Sequence, residues 1–237
     1  NSFVKHLGPA TKTDIFFHHQ NQKIFRRLIE DNFGLYTDYV IMPTTEKDTG
    51  ELLETLKNYG NVFLLDQGLN EFGDSFASVY QDFNAGIMGC LEKLETRLVK
   101  YTKLNLVITI HPIPSSEHIC ENILNGFTRF CDEFGMSYDT YGQITDDKIN
   151  RGECYFIHDD RELERLVLAA REQNLEIGSD IGIISFNETP LKNIVANGIT
   201  TISTDYAKYG ELMADMILNN KNEMIINETN VYLRGSV

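Results

Sequence analysis

Short apolar segments alternate with amphipathic segments along the 237-residue chain, and this alternation limits the fold more than any other feature. The segments 104–110 and 181–186 are almost continuously apolar, whereas 85–101 and 116–134 carry apolar residues at helical spacing. Strands that are apolar on both faces and alternate with helices indicate parallel sheets covered by helices. The predicted strands are 14–18, 39–42, 62–65, 78–80, 104–110, 137–141, 153–157, 181–186, 199–203 and 228–234. Ten strands favour an α/β protein of two Rossmann-like, three-layer lobes with a cleft between them.

The charge balance excludes several classes of partner for this segment. Its 35 acidic and 21 basic side chains give a net charge of −14, whereas binding to nucleic acid or to an anionic membrane needs clustered Lys and Arg. No apolar stretch approaches the roughly 20 residues that span a bilayer, and the first residues do not resemble a signal peptide. We therefore expect a cytoplasmic protein that does not bind membranes.

Enzyme signatures are largely missing from the sequence. It contains neither a G-x-S-x-G elbow nor a G-x-x-x-x-G-K-[ST] loop. His18 and His19 are adjacent on a predicted strand and would point to opposite faces, so they do not form a metal pair. We therefore predict no enzyme, no cofactor and no metal site, although His158 and the neighbouring aspartates contain groups capable of acid–base chemistry.

Polar side chains follow most of the predicted strands, where ligands bind in folds of this class. These residues are rich in Asp, Asn, Gln, His and Thr, which hydrogen-bond neutral polyols, and they lack Lys, Arg and a glycine-rich turn. A neutral sugar is therefore favoured over a phosphorylated ligand or a dinucleotide. For any single residue the alternative is a structural role, and Asp160 in particular could cap the helix that starts near Arg161.

Several motifs resemble the effector-binding domain of the LacI/GalR regulators. They are YFIHDD at 155–160, EIGSDIGIISFNE at 176–188, TTISTD at 200–205, YLRGS at 232–236 and DFNAG at 82–86. This resemblance implies the type I periplasmic-binding-protein fold with three crossover strands. It places one lobe at 1–81 plus 206–224 and the other at 83–204 plus 230–237. The fold's first strand and the start of its first helix are expected upstream of this chain.

The resemblance also implies which residues contact the ligand. Asp160, Asp66 and Thr204 fall on positions that line the ligand cleft in this family. The family usually has an Arg three residues before the glycine that is Gly126 here, but this chain has Ile123. That departure points further to an uncharged ligand. The remaining predicted ligand-binding residues are His111, His158, Asn187, Glu117, His18 and Asn21.

The function implied is that of a sugar-sensing domain of a homodimeric transcription regulator, which binds operator DNA through a further domain upstream. The chain looks most like regulators that join a GntR-type winged-helix head to a LacI-like sugar domain, including regulators that sense L-fucose or related sugars. A periplasmic solute-binding protein of a sugar transporter is the alternative, because it shares the fold.

Overall fold

The computed structural model describes residues 2–44, 46, 48–66, 72, 75–109 and 114–237; for Asp66 and residues 114–117 it describes the main chain alone. The described residues fall into two compact units. Unit 1 takes its residues from Asn1–Asp82, Ile113–Ser116 and Asp205–Glu228, and unit 2 takes its residues from Phe83–Pro112, Glu117–Thr204 and Thr229–Val237.

Unit 1 contains a parallel four-stranded sheet between two helical layers. The strands lie in the order β1-β2-β3-β9. Apolar side chains of α2 and α3 cover one face, and those of α7 cover the other beside α1. The elements of unit 1 are α1 Ser2–Leu7, α2 Gln22–Asp31, β1 Asp38–Ile41, α3 Thr49–Leu56, β2 Asn61–Asp66, β3 Ala77–Tyr80, α7 Tyr206–Leu218 and β9 Met224–Ile226.

The strand predicted at 14–18 does not form, and this prediction is wrong. Residues 12–18 are irregular, and Ile15, Phe16 and Phe17 are exposed. An apolar run becomes a strand only where a neighbouring strand pairs with its backbone, and β2 is the sole partner of β1 in the described sheet. A side-chain contact holds the segment instead: the Tyr36 hydroxyl donates a hydrogen bond to the Asp14 carboxylate at 2.8 Å.

Unit 2 contains a six-stranded sheet in the order β10-β8-β7-β6-β4-β5, in which β10 alone is antiparallel among the described strands. Leu106, Phe156 and Ile184 face a core with α4 and α5, whereas Tyr155 and Ile183 face a core with α6. The elements of unit 2 are α4 Phe83–Leu98, β4 Lys103–Val107, α5 Pro114–Glu133, β5 Tyr138–Tyr141, β6 Glu153–Ile157, α6 Asp160–Glu172, β7 Gly182–Phe186, β8 Thr200–Thr204 and β10 Thr229–Tyr232. Each unit thus has the three-layer α/β architecture predicted.

Helices α4 and α5 approach closely at Gly126. A Cβ atom added there would lie 2.4 Å from the Asn84 carbonyl oxygen, so a larger residue would push the two helices apart. Ile123, one turn earlier on α5, is fully buried in the same core. The position at which the sequence resemblance implies an Arg is therefore a core position in this chain, and its side chain supplies no charge.

Candidate functional site

The carboxyl ends of the parallel strands in unit 2 gather four of the predicted ligand-binding residues. His158 and Asp160 follow β6, Asn187 follows β7, and Thr204 ends β8. Strands β6, β7 and β8 are parallel neighbours, so their carboxyl ends lie at one edge of the sheet. We call these four residues, together with Lys192, the unit 2 edge cluster.

Adjacent aspartates after β6 have different roles. The Asp159 carboxylate accepts a hydrogen bond from the Arg161 backbone N–H at 2.8 Å and so caps α6. Asp160 is the first residue inside the helix, and its side chain is 67% exposed. The suggestion that Asp160 caps this helix is therefore wrong, and its carboxylate projects from the helix start.

Lys192 is a cation that the strand-end sequence did not reveal. Its side chain is only 4% exposed, and its ammonium donates hydrogen bonds to the carbonyl oxygens of Phe186 and Asn187, each at 2.8 Å. It also lies 2.8 Å from Asp160 Oδ1. The residues that directly follow the strands lack Lys and Arg, but a 3₁₀ turn at Pro190–Asn193 brings the ammonium of Lys192 to the end of β7.

The other members of the edge cluster are held by the same elements. The imidazole of His158 stacks on Phe186 at 5.2 Å between ring centroids. Asn187 has a left-handed backbone (φ 62°), which Asn tolerates better than most residues, and its N–H donates to the Ile202 carbonyl at 2.9 Å. Thr204 is buried. These contacts fix the segments that follow β6 and β7 relative to one another.

A second ion pair joins the segment after β7 to the segment after β10, which lies beside the start of β8. Arg234 donates to Glu188 through both terminal nitrogens, at 2.9 Å and 2.7 Å, and to the Ile199 carbonyl at 2.7 Å. The Thr201 hydroxyl also hydrogen-bonds Glu188. Burial alone would raise the pKa of Glu188, but the hydrogen bonds from Arg234 and Thr201 outweigh it and hold the pKa below its ordinary value.

In unit 1, two of the predicted residues lie around the start of α2. Asn21 is the N-cap, and its side-chain oxygen accepts from the backbone N–H groups of Lys23 and Ile24 at 3.0 Å and 3.2 Å. His18 packs edge-on against Phe25 at 5.2 Å. Burial lowers the pKa of His18, partly offset by its hydrogen bond with the Met42 backbone. Asn21 thus has a structural role, and a ligand contact by either residue stays a prediction.

Three predicted residues fall where side chains are not described. His111 lies outside the described residues, and the side chains of Asp66 and Glu117 are not described, although Asp66 does end β2 and Glu117 lies in α5. The described residues contain no group of three His, Cys, Asp or Glu side chains placed to hold a metal ion. Within the same residues, no helix is both long and apolar enough to cross a bilayer.

Comparisons with known proteins identify the fold. Residues 124–237 match the model of the periplasmic binding protein-like domain. A dimeric Lac repressor shares 12% identity over 100% of this chain and 92% of its own, with a TM-score of 0.76. A LacI-family regulatory protein from Chloroflexus aggregans shares 17% identity over 99% of this chain and 89% of its own, with a TM-score of 0.72.

A third similar structure carries a sugar. It is a periplasmic binding protein/LacI transcriptional regulator from Alkaliphilus metalliredigens complexed with D-xylulofuranose, with 12% identity, 100% of this chain and 95% of its own covered, and a TM-score of 0.68. A search of curated proteins found no match. The resemblance seen in the sequence motifs is confirmed at the level of fold, and the chain has the type I periplasmic-binding-protein fold that it shares with these LacI-family proteins.

Proposed function

We propose that the chain is the effector-binding domain of a transcription regulator and that it binds a small neutral sugar through the edge cluster of unit 2. The observation that carries this proposal is the exposed Asp160 carboxylate at the carboxyl end of β6, beside His158 and Asn187. Carboxylate, amide and imidazole groups together accept and donate the hydrogen bonds of sugar hydroxyls. The fold shared with regulators, one of them named with a bound sugar, supports the same function.

The charges of the edge cluster favour an uncharged ligand. Lys192 is its cation, and all three ammonium N–H groups already have acceptors within the protein. A phosphate would therefore meet Asp160 without a free cation to compensate for the repulsion. Position 123 is a buried isoleucine, so no arginine there supplies the missing cation. A sugar with hydroxyl groups alone meets no such penalty, and we propose L-fucose or a related monosaccharide.

Regulation would follow from two conformations with different sugar affinities. Sugar binding shifts the equilibrium only by the ratio of its affinities for the two states, and a factor of ~100 corresponds to about 2.7 kcal/mol. We propose that this shift alters DNA binding by a GntR-type winged-helix head upstream, in a homodimer in the cytoplasm. A gene that encodes a signal peptide instead of such a head would favour the solute-binding alternative.

Thermal unfolding with a panel of sugars tests the proposal. L-fucose, D-xylulose, D-galactose and D-glucose would each be compared with glucose 6-phosphate as the charged control. A ligand at 100 times its dissociation constant stabilises the folded state by about 2.7 kcal/mol, or roughly 5–10 °C in a chain of this size. A shift with a neutral sugar and none with the phosphate is expected. A shift with the phosphate alone contradicts the proposal.

A variant at Asp160 places the binding site. Asp160→Ala should abolish the sugar-induced shift and leave the protein folded, although the unliganded melting temperature should fall because the buried Lys192 loses its counter-charge. An unchanged sugar affinity would remove Asp160 from the site. Incubation followed by NMR of the sugar checks that the protein performs no reaction, and a new sugar product would indicate an enzyme instead.

A further inference from the structure

The ammonium group of Lys192 occupies an unusual environment for a lysine. Its side chain is 96% buried, as its 4% exposure implies. Enclosing a charge of this kind costs several kcal/mol unless hydrogen bonds and an opposite charge compensate for it. Two main-chain carbonyls and the Asp160 carboxylate do so. A buried lysine with three partners is fixed in position, because moving its ammonium would break all three contacts.

The backbone of Lys192 is hydrogen-bonded through both its N–H group and its carbonyl. Its backbone N–H donates to the Thr189 carbonyl at 3.1 Å, and its carbonyl accepts from Ile199 at 2.8 Å. Pro190 begins the 3₁₀ turn that carries it, and proline restricts the backbone there. The backbone therefore holds the start of this side chain while the three acceptors hold its end.

The ammonium of Lys192 connects the carboxyl ends of two neighbouring strands, β6 and β7. Phe186 ends β7 and Asn187 follows it, whereas Asp160 opens the helix that follows β6. Phe186 also supports the ring of His158. One buried charge therefore sets the relative positions of the residues that we propose to contact the sugar, although it offers no donor of its own to a ligand.

We propose that Lys192 is a positioning residue, whose buried ammonium holds the Asp160 carboxylate for sugar recognition without touching the sugar. The inference rests on the proposed function of Asp160. One carboxylate oxygen, Oδ1, faces the ammonium, and Oδ2 lies outside this 2.8 Å contact. Holding Oδ1 removes the freedom of a side chain that is otherwise exposed, and a preorganised acceptor binds more tightly because less entropy is lost on binding.

A double-mutant cycle separates positioning from a general structural role. Sugar affinity would be measured by calorimetry for the 237-residue chain, for Lys192→Met, for Asp160→Asn and for the double variant, with the sugar of the panel that gives the largest shift. Lys192→Met should weaken binding by roughly tenfold when Asp160 is present, as expected for residues coupled in one network. It should weaken binding by less than about twofold in the Asp160→Asn background, because a neutral amide oxygen interacts only weakly with the ammonium compared with a carboxylate.

Equal losses in both backgrounds would overturn the proposal, because a collapsed loop would weaken binding whether or not Asp160 is present. The unliganded melting temperature of each variant shows how much of the effect is loss of folded protein. Lys192→Arg keeps the charge and should recover part of the lost affinity, since an arginine can still pair with Asp160.

A second measurement needs no sugar and separates this inference from the proposed function. In a crystal structure of Lys192→Met, the Asp160 carboxylate should leave the position it has in the unliganded wild-type protein. An Asp160 carboxylate that stays in place would overturn the positioning role. If no sugar on the panel shifts the wild-type melting temperature, the proposed function fails, and the two crystal structures still decide what Lys192 does.

Discussion

Two ion pairs of unit 2, Lys192–Asp160 and Arg234–Glu188, are built in opposite ways. In Lys192–Asp160 the cation is buried and the anion is exposed, with 4% and 67% of their side chains accessible. In Arg234–Glu188 both partners are largely enclosed, at 17% and 23%, and two parallel hydrogen bonds join them. Enclosure of both charges makes a pair structural, whereas an exposed anion on a buried cation remains available to a ligand.

The hydrogen bonds of the two carboxylates, Glu188 and Asp160, also distinguish the enclosed pair from the open pair. Glu188 accepts from Arg234 and from Thr201, so its two oxygens are occupied within the protein. Asp160 has one oxygen against Lys192. We therefore expect loss of the enclosed pair to affect folding, and loss of the open pair to affect binding. Measurements on each pair, from the largest expected change in unfolding free energy to the smallest, test this contrast.

Removal of Arg234 should give the largest change. Arg234→Met leaves the Glu188 carboxylate largely enclosed without its partner and should lower the free energy of unfolding by about 3 kcal/mol. Urea denaturation measures this change. Adding Glu188→Gln to that variant removes the uncompensated charge and should restore part of the loss. A loss under about 1 kcal/mol would show that this pair is no more structural than an exposed one.

Asp159 should give an intermediate change. Asp159→Ala removes the side-chain cap of α6 and should lower the free energy of unfolding by about 1 kcal/mol. Asp159→Asn is the matched control, because an asparagine oxygen caps a helix almost as well. Equal losses in the two variants would mean that the charge of Asp159, and not its capping hydrogen bond, stabilises the start of this helix.

Asp160 should show the smallest effect on folding and a large effect on binding. Asp160→Asn keeps an oxygen for Lys192 and should change the free energy of unfolding by no more than about 0.5 kcal/mol. It should weaken sugar binding by roughly 10- to 100-fold, the cost of a lost hydrogen bond to a charged group. Denaturation and calorimetry on the same samples measure both. A large loss of stability with unchanged affinity would reverse the contrast between the pairs.

The sequence predicts unit 2 better than unit 1 for a physical reason. The strand Glu153–Ile157 of unit 2 has the predicted bounds. Central strands such as β7 are buried along their whole length, so an apolar run identifies them. The apolar run at 14–18 gives the same signal, but pairing depends on a neighbour that local pattern cannot supply. The three-residue strand β9 was missed because it is too short to show a pattern.

The sequence predicts that the candidate residues gather at one edge of the sheet, but it does not predict the ion pair between Lys192 and Asp160. Parallel strands bring their carboxyl ends to one edge, and His158, Asp160 and Asn187 were therefore identified from sequence. Lys192 could not be identified in this way. It lies 32 positions after Asp160 in the sequence, and the 3₁₀ turn that brings its ammonium to Asp160 has no recognisable sequence pattern. Its place in an exposed-looking segment, PLKN at 190–193, gave no sign of burial.

His18 extends the contrast to a site that disfavours the charged form of its side chain. Its folded pKa lies below the ordinary value of 6.5, because burial against Phe25 opposes protonation more than the hydrogen bond with the Met42 backbone favours it, and the charge of His19 adds to the lowering. Above pH 6.5 the side chain is neutral in both the folded and unfolded states, so its contribution to stability is fully present. As the pH falls below 6.5, the unfolded state takes up a proton first, and the free energy of unfolding decreases until the folded pKa is passed.

His18→Gln should therefore remove part of the loss of stability on acidification, and its curve should converge in slope with that of the wild-type protein above pH 6.5. Urea denaturation between pH 5 and pH 8 measures both curves, and the comparison uses slopes because the substitution also alters packing against Phe25. His19→Gln is the matched control, since His19 is the exposed neighbour. Parallel wild-type and His18→Gln curves across the whole range would mean that His18 titrates alike in both states, and the lowered pKa at this position would then be wrong.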